Sequence, residues 1–169
     1  MIIFAADHKN KKMIQRIQSV YLFLVVVSLG AMFYFPLASF IGGDKDQLIL
    51  YIYQLVSEVP DSSPAVPAWF IYPNLVLASL SFLLTLTSIF LFKNRKLQLT
   101  MVRFVIILIL VLIAAFFFYY AVELEAASGI AAHYEIGAYM PLIAFVFLIL
   151  AYRGIMADEK LIRSSERLR

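Results

Sequence analysis

The sequence predicts an all-α membrane protein built as a bundle of four transmembrane helices. Both termini are expected in the cytoplasm, and a small extracytoplasmic loop can contain β-structure. Of its 169 residues, 63% are hydrophobic and 15% are charged, whereas soluble domains average about 45–50% apolar and about 25% charged residues. Four apolar runs have close to the roughly 20 residues needed to cross a hydrocarbon core of about 30 Å. Of the 14 lysine and arginine residues, 13 fall on one common side of those runs.

The first predicted helix follows a charged N-terminal segment. Residues 1–12 show no apolar period and are expected to form a flexible extension. A single four-helix membrane domain is therefore placed at 13–169, with Met1 and Met13 both candidate starts. The first span covers 20–41, an uncharged run of 22 residues, longer than the roughly 7–15 apolar residues of a signal peptide. It is interpreted as an uncleaved helix that Pro36 bends or ends near the outer interface.

A polar segment at 42–72 separates the first two spans and is predicted to lie outside the membrane. Its glycines and prolines disfavour a long helix. Within it, 48–56 is rich in β-branched and aromatic residues, which favours a strand or half of a small hairpin, with an interfacial helix as the alternative. The second span covers 74–92, and Trp69 and Tyr72 precede it as interfacial anchors.

One face of the second span is predicted to carry small and hydroxyl residues: Ala78, Ser81, Thr85 and Ser88. Their spacing places them on one helical stripe. Such residues allow neighbouring helices to approach closely and to hydrogen-bond across the interface. Helix packing is the expected role, and a substrate path is the alternative.

A basic turn at 93–103 joins the second span to the third span at 104–122. The next outer loop, 123–135, contains no lysine or arginine. The fourth span covers 136–156, with Pro141 near its start, where proline is tolerated. The cytoplasmic tail, 157–169, is predicted to form a basic amphipathic helix along the inner leaflet, with Glu159 and Arg163 as an i, i+4 pair.

The charge distribution predicts the orientation. Placing the termini and the basic turn outside would carry 13 cations across the membrane, which the positive-inside rule disfavours. Only Lys45 is left on the outer side in the predicted arrangement, together with most of the acidic residues. The protein is expected to be a multi-pass protein of the bacterial cytoplasmic membrane.

Three segments together resemble a known family. They are Met13-Ile-Gln-Arg-Ile-Gln-Ser19, the turn Phe92-Lys-Asn-Arg-Lys-Leu-Gln98 with Arg103, and the C-terminal stretch 151–169. In combination they are similar to the domain of unknown function 4293 family, small four-helix bacterial membrane proteins of the Bacteroidota type. The resemblance covers about 13–169 and implies a cytoplasmic-membrane location and four helices, but no activity. The N-terminal extension departs from the family pattern.

The second outer loop holds the residue types that could support metal binding or acid–base chemistry. Weak metal-ligand candidates are Glu123, His133 and Glu135. Solvated charges that enforce topology are the preferred interpretation, because the two glutamates at 123 and 125 would point to different faces of a continuing helix. The sequence contains no cysteine, so thiolate ligands and a cysteine nucleophile are excluded.

Basic residues on the predicted cytoplasmic side are expected to contact anionic headgroups or a partner. They are Arg16, Lys93, Arg95, Lys96, Arg103, Arg153 and Arg163. Expected partners are the lipid bilayer, with anionic headgroups on its inner face, and a membrane protein or a second copy of the chain. Nucleic acid is not expected, since no basic folded domain is present, and no cofactor is expected.

The leading functional hypothesis is a non-enzymatic accessory or interaction subunit. One alternative is an envelope or lipid-acting enzyme, or a metal-binding protein, that uses the outer Glu/His loop. A second is a small transporter, which is disfavoured because the interiors of the spans contain no ionisable acid or base of the kind that marks ion paths.

Overall fold

The computed structural model describes residues 2–42, 46–57 and 66–166 as a mostly helical fold with a small sheet. The helices are α1 (Ile2–Tyr34), α2 (Tyr72–Phe90), α3 (Arg95–Ala115), α4 (Ala121–Ser128) and α5 (Ile136–Glu166). The strands are β1 (Ala38–Gly42), β2 (Asp46–Leu50), β3 (Leu55–Ser57) and β4 (His133–Tyr134). Short 3-10 turns precede and follow α2, at Ala68–Ile71 and Leu91–Lys93.

A wide π-helical turn, Phe116–Tyr120, joins α3 and α4 into one continuous helical run. The Ala121 N–H donates to the Phe116 carbonyl across this turn, the i to i+5 pattern of a π-helix. In the described ranges, four helical stretches are long and apolar enough to cross a membrane: Ile17–Tyr34, Trp69–Phe90, Arg95–Ser128 and Ile136–Lys160. The four long apolar helices predicted from the sequence are thereby confirmed.

The long helices pack in a closed ring. Helix α1 contacts α5 and α2, and α3 contacts α2 and α5. Gly154 shows how close the packing is, since a Cβ atom there would lie 2.8 Å from the side chain of Gln18.

The strands form one antiparallel sheet in the order β3-β2-β1-β4. The sheet is tied to the chain around Pro36: the Leu37 N–H donates to the Leu50 carbonyl over 2.8 Å, and the Gly137 N–H donates to the Pro36 carbonyl over 2.9 Å. A Cβ atom on Gly137 would lie 2.5 Å from the Pro36 carbonyl oxygen. Only glycine therefore allows the start of α5 to come this close to the segment between α1 and β1.

The sheet covers one end of the bundle, named here the sheet end. Its apolar residues share a core with the π-helical turn and α4: Ala38, Phe40, Leu48, Leu50, Ile52, Phe70, Phe116, Tyr120 and Leu124. The opposite end is named the basic end, and it carries Arg95, Lys96, Arg103, Arg153 and Lys160. A second core fills the bundle towards the basic end and includes Leu22, Val25, Leu29, Val102, Val105, Ile109, Leu148, Ala151 and Ile155.

The boundaries of the first two spans differ from their predictions. The helix predicted over 20–41 ends at Tyr34, and 38–42 form a strand instead. Pro36 has no N–H to continue a helix, and the residues after it pair with β2 and β4. The predicted strand at 48–56 corresponds to the hairpin of β2 and β3, and the span predicted at 74–92 begins and ends two residues earlier.

The helices beyond residue 93 are longer than predicted. Most of the basic turn at 93–103 belongs to α3, because Asn94 caps that helix with its side-chain oxygen, which accepts from the Leu97 N–H over 3.3 Å. The outer loop predicted at 123–135 starts as α4, and the tail from 157 to 166 continues α5 without a break. The segment 2–12, expected to be a flexible arm, lies within α1.

Candidate functional site

An ion pair joins α3 and α5 at the basic end. Arg95 Nη1 lies 3.0 Å from Asp158 Oδ2, and the two side chains are 19% and 5% exposed. Asp158 is buried because it continues the inward face of α5, three residues after the core residue Ile155. The pair holds the first turn of α3 against the C-terminal part of α5.

A second polar contact joins α3 to α2. The buried Gln98 donates from Nε2 to the Ser88 carbonyl over 3.0 Å. Gln98 occupies the same inward face of α3 as Val102 and Val105. It therefore fixes the short connection between α2 and α3 from inside the bundle.

A groove lies beside these contacts, between the facing sides of α3 and α5. It has a volume of about 290 Å³ and is lined by Lys96, Leu99, Thr100, Arg103, Met156, Glu159 and Lys160. This set is named the basic groove. Three of its side chains are cations and one is a carboxylate, so the net charge of the lining is positive.

Arg103 is held in place at one end of the basic groove. Its Nε donates to the Tyr152 hydroxyl over 3.1 Å, and its guanidinium carbon lies 5.6 Å from the centre of the Tyr152 ring. A cation over an aromatic face is stabilised by the ring quadrupole. Both contacts fix the plane of the guanidinium, and its Nη atoms have no partner among the described residues.

The seven basic residues predicted to contact headgroups or a partner divide into four groups. Lys96 and Arg103 line the basic groove, and Arg95 is engaged with Asp158 rather than presented to lipid. Arg153 is exposed on α5 and lies outside the groove lining. The side chains of Arg16, Lys93 and Arg163 lie outside the described part of the chain.

The outer candidates lie at the sheet end, on three different elements. Glu123 is exposed on α4, His133 is exposed on β4, and Glu135 accepts a hydrogen bond from Ser39 Oγ over 2.9 Å. The neighbouring Glu125 accepts from the Ala132 N–H over 2.8 Å. These two carboxylates thus tie the sheet and loop together, and the residues described contain no group of three or more metal-ligating side chains.

The hydroxyl stripe of α2 faces the interior of the bundle. Ala78, Ser81, Thr85 and Ser88 are all buried. Ser81 donates to the Leu77 carbonyl and Thr85 to the Ser81 carbonyl, both over 2.7 Å. The hydroxyls of Ser81 and Thr85 therefore bond within their own helix, whereas the buried Ser88 Oγ has no partner among the described residues. The bond between helices at this stripe runs from Gln98 to the Ser88 carbonyl.

Sequence reasoning missed Asp158, Gln98 and Tyr152. The helical spacing of inward-facing residues could have found the first two. On α3, steps of four and three residues connect Gln98 to Val102 and Val105, and on α5 a step of three residues connects Ile155 to Asp158. No pattern in the sequence pairs Tyr152 with Arg103, since that contact depends on how the two helices are aligned.

The fold defines a small four-helix protein whose helices are long and apolar enough to cross a membrane, with a sheet at one end and cations at the other. The chain belongs to the family described as domain of unknown function (DUF4293), whose model matches residues 14–168. This confirms the family indicated by the three sequence segments. Comparison with curated proteins and with solved structures gave no match.

Proposed function

We propose that the protein is a non-enzymatic accessory subunit of the bacterial cytoplasmic membrane. It crosses the membrane four times with its basic end in the cytoplasm, and it acts by binding. Its partners are the anionic headgroups of the inner leaflet and a membrane protein or a second copy of the chain. Nucleic acid is not among the proposed partners, and no cofactor is part of the proposal.

The observation that carries this proposal is a pair of polar contacts between helices at the basic end. Arg95 pairs with Asp158, and Gln98 bonds to the Ser88 carbonyl. These contacts join neighbouring helices at the basic end. Polar side chains that hold helices together are typical of a scaffold, whereas ion and proton paths are marked by charged groups facing a water-filled cavity.

The orientation is supported by the cations of the basic end. Lys96, Arg103, Arg153 and Lys160 are exposed there, while the acidic Glu123 lies near the sheet end. Lysine and arginine beside membrane spans favour the cytoplasmic side.

The absence of cysteine from the sequence allows a direct test of orientation. Single-cysteine variants Ala131→Cys at the sheet end and Thr100→Cys at the basic end are treated, in intact cells, with a thiol reagent that cannot cross the membrane. We expect labelling of the first variant only, and labelling of the second after the membrane is opened. The opposite pattern would overturn the proposed orientation.

Native mass analysis tests the accessory role. The protein is tagged at its own locus, extracted gently and weighed with whatever remains bound. We expect a stoichiometric complex with another membrane protein or with a second copy. A monomer carrying one metal ion that the variant His133→Ala loses would contradict the proposal and favour a metal-dependent activity at the sheet end.

A further inference from the structure

We infer that the basic groove binds the phosphate group of an anionic phospholipid in the inner leaflet. This assignment of the ligand rests on the proposed orientation, which places the basic end at the inner leaflet. The shared chemistry is that of a phosphate oxyanion, which a lipid headgroup and a free phosphate both present.

The groove brings cations from two helices to one place. Lys96, Thr100 and Arg103 are spaced i, i+4 and i+7 and so share one side of α3. Arg95 meets Asp158 and Arg103 meets Tyr152, so α3 and α5 run antiparallel and Lys160 lies near the Lys96 end. A ligand in the groove is therefore flanked by cations at both ends, with the Glu159 carboxylate next to Lys160 in the lining.

The cationic side chains of the groove have hydrogen-bond donors that are not used within the described residues. In the described residues, Arg103 uses Nε for Tyr152, and its two Nη atoms have no hydrogen-bond partner. The same holds for the Nζ atoms of Lys96 and Lys160. Guanidinium forks bind phosphate with two parallel hydrogen bonds, and such charge-assisted bonds are about twice as strong as neutral ones.

The groove is long enough to hold a lipid headgroup at the predicted membrane boundary. Arg103 directly precedes the apolar run of α3. Lys96 lies seven residues further out, which is about 10 Å along the axis at about 1.5 Å per residue. The headgroup layer on each side of a bilayer is about 5–7.5 Å thick. Leu99 and Met156 add apolar lining, which suits the glycerol and first acyl carbons of a lipid better than a free anion.

Lipid retention in nanodiscs tests the inference. The full chain is reconstituted with equal amounts of phosphatidylglycerol and phosphatidylcholine, and native mass spectrometry measures how much protein leaves with phosphatidylglycerol bound. We expect Arg103→Gln and Lys160→Gln each to lower this retention about tenfold, the change that corresponds to about 1.4 kcal/mol. Arg103→Lys keeps the charge without the fork and is expected to give an intermediate loss.

Arg153→Gln is the matched control, since it removes an exposed cation of the same end outside the groove lining. It should retain lipid as the wild type does. Equal losses in Arg103→Gln and Arg153→Gln would overturn the inference and indicate diffuse attraction to the leaflet. Lys160→Gln alters only an exposed side chain, so it keeps the test valid if the Arg103 variants fail to fold.

Two further outcomes would assign the groove to another ligand. Loss of lipid on addition of inorganic phosphate at micromolar concentration would identify a soluble phosphate as the ligand. No lipid retention by the wild type, together with a cross-link from Lys96 to an acidic protein, would identify a protein partner. Thiol labelling tests the orientation separately, so an error in the proposed orientation can be distinguished from an error in the proposed groove ligand.

Discussion

Removing the carboxylate of Asp158 is expected to weaken the bundle at its basic end. The variant Asp158→Ala leaves the Arg95 guanidinium without its partner 3.0 Å away. Breaking a buried pair from one side typically costs about 3–5 kcal/mol, because a charge is left desolvated. Arg95 keeps 19% of its side chain exposed and can turn towards water, so we expect a smaller loss, about 2–3 kcal/mol.

The assay is reversible unfolding of the full chain in mixed micelles, followed by circular dichroism as the fraction of denaturing detergent rises. Glu123→Ala removes an exposed carboxylate on α4 and should change stability by less than about 0.5 kcal/mol. The double variant Arg95→Met/Asp158→Leu should recover most of the loss, since apolar replacements of buried pairs are often neutral. An Asp158→Ala variant as stable as Glu123→Ala would refute the structural role given to the pair.

Two further predictions use the same unfolding assay. Gly137→Ala forces a Cβ atom towards the Pro36 carbonyl and should cost about 1–3 kcal/mol. Gly30→Ala adds a Cβ that meets an ordinary contact at 3.6 Å, so it should be neutral or stabilise by up to about 1 kcal/mol, because glycine is unfavourable inside a helix. Equal losses in the two variants would contradict the close approach at Gly137. Ser81→Ala should cost less than about 1 kcal/mol, because the Ser81 hydroxyl bonds within its own helix. Ser81→Leu should cost about 1–3 kcal/mol, because the larger side chain overpacks the interface. Similar stabilities of the two variants would show that the stripe does not face a packed helix.

Hydropathy was sufficient to predict the number of long helices, because the length of an apolar run is a property of consecutive residues. It could not place the end of α1. The residues at 38–41 are as apolar as those before them, and whether they form helix or strand depends on β2 and β4, which supply their hydrogen bonds. The strand β4, at His133–Tyr134, is too short to carry any period.

The basic groove could be predicted only in part. Charge and position predict that Lys96 and Arg103 contact headgroups or a partner. Lys160 was counted in a tail expected to lie along the membrane, and it enters the groove because α5 continues without a break to Glu166. Asp158 falls in the same predicted tail, although its spacing from Ile155 places it on the inward face.

The π-helical turn has a consequence for the residues that follow it. Core positions of α3 advance by four and three residues up to Phe116, and a regular helix would next bring positions 119 and 123 inward. The wide turn accommodates one additional residue, so Tyr120 and Leu124 face the core instead and Glu123 stays in contact with solvent. A single extra residue in this helical run thus keeps a carboxylate from being buried beneath the sheet.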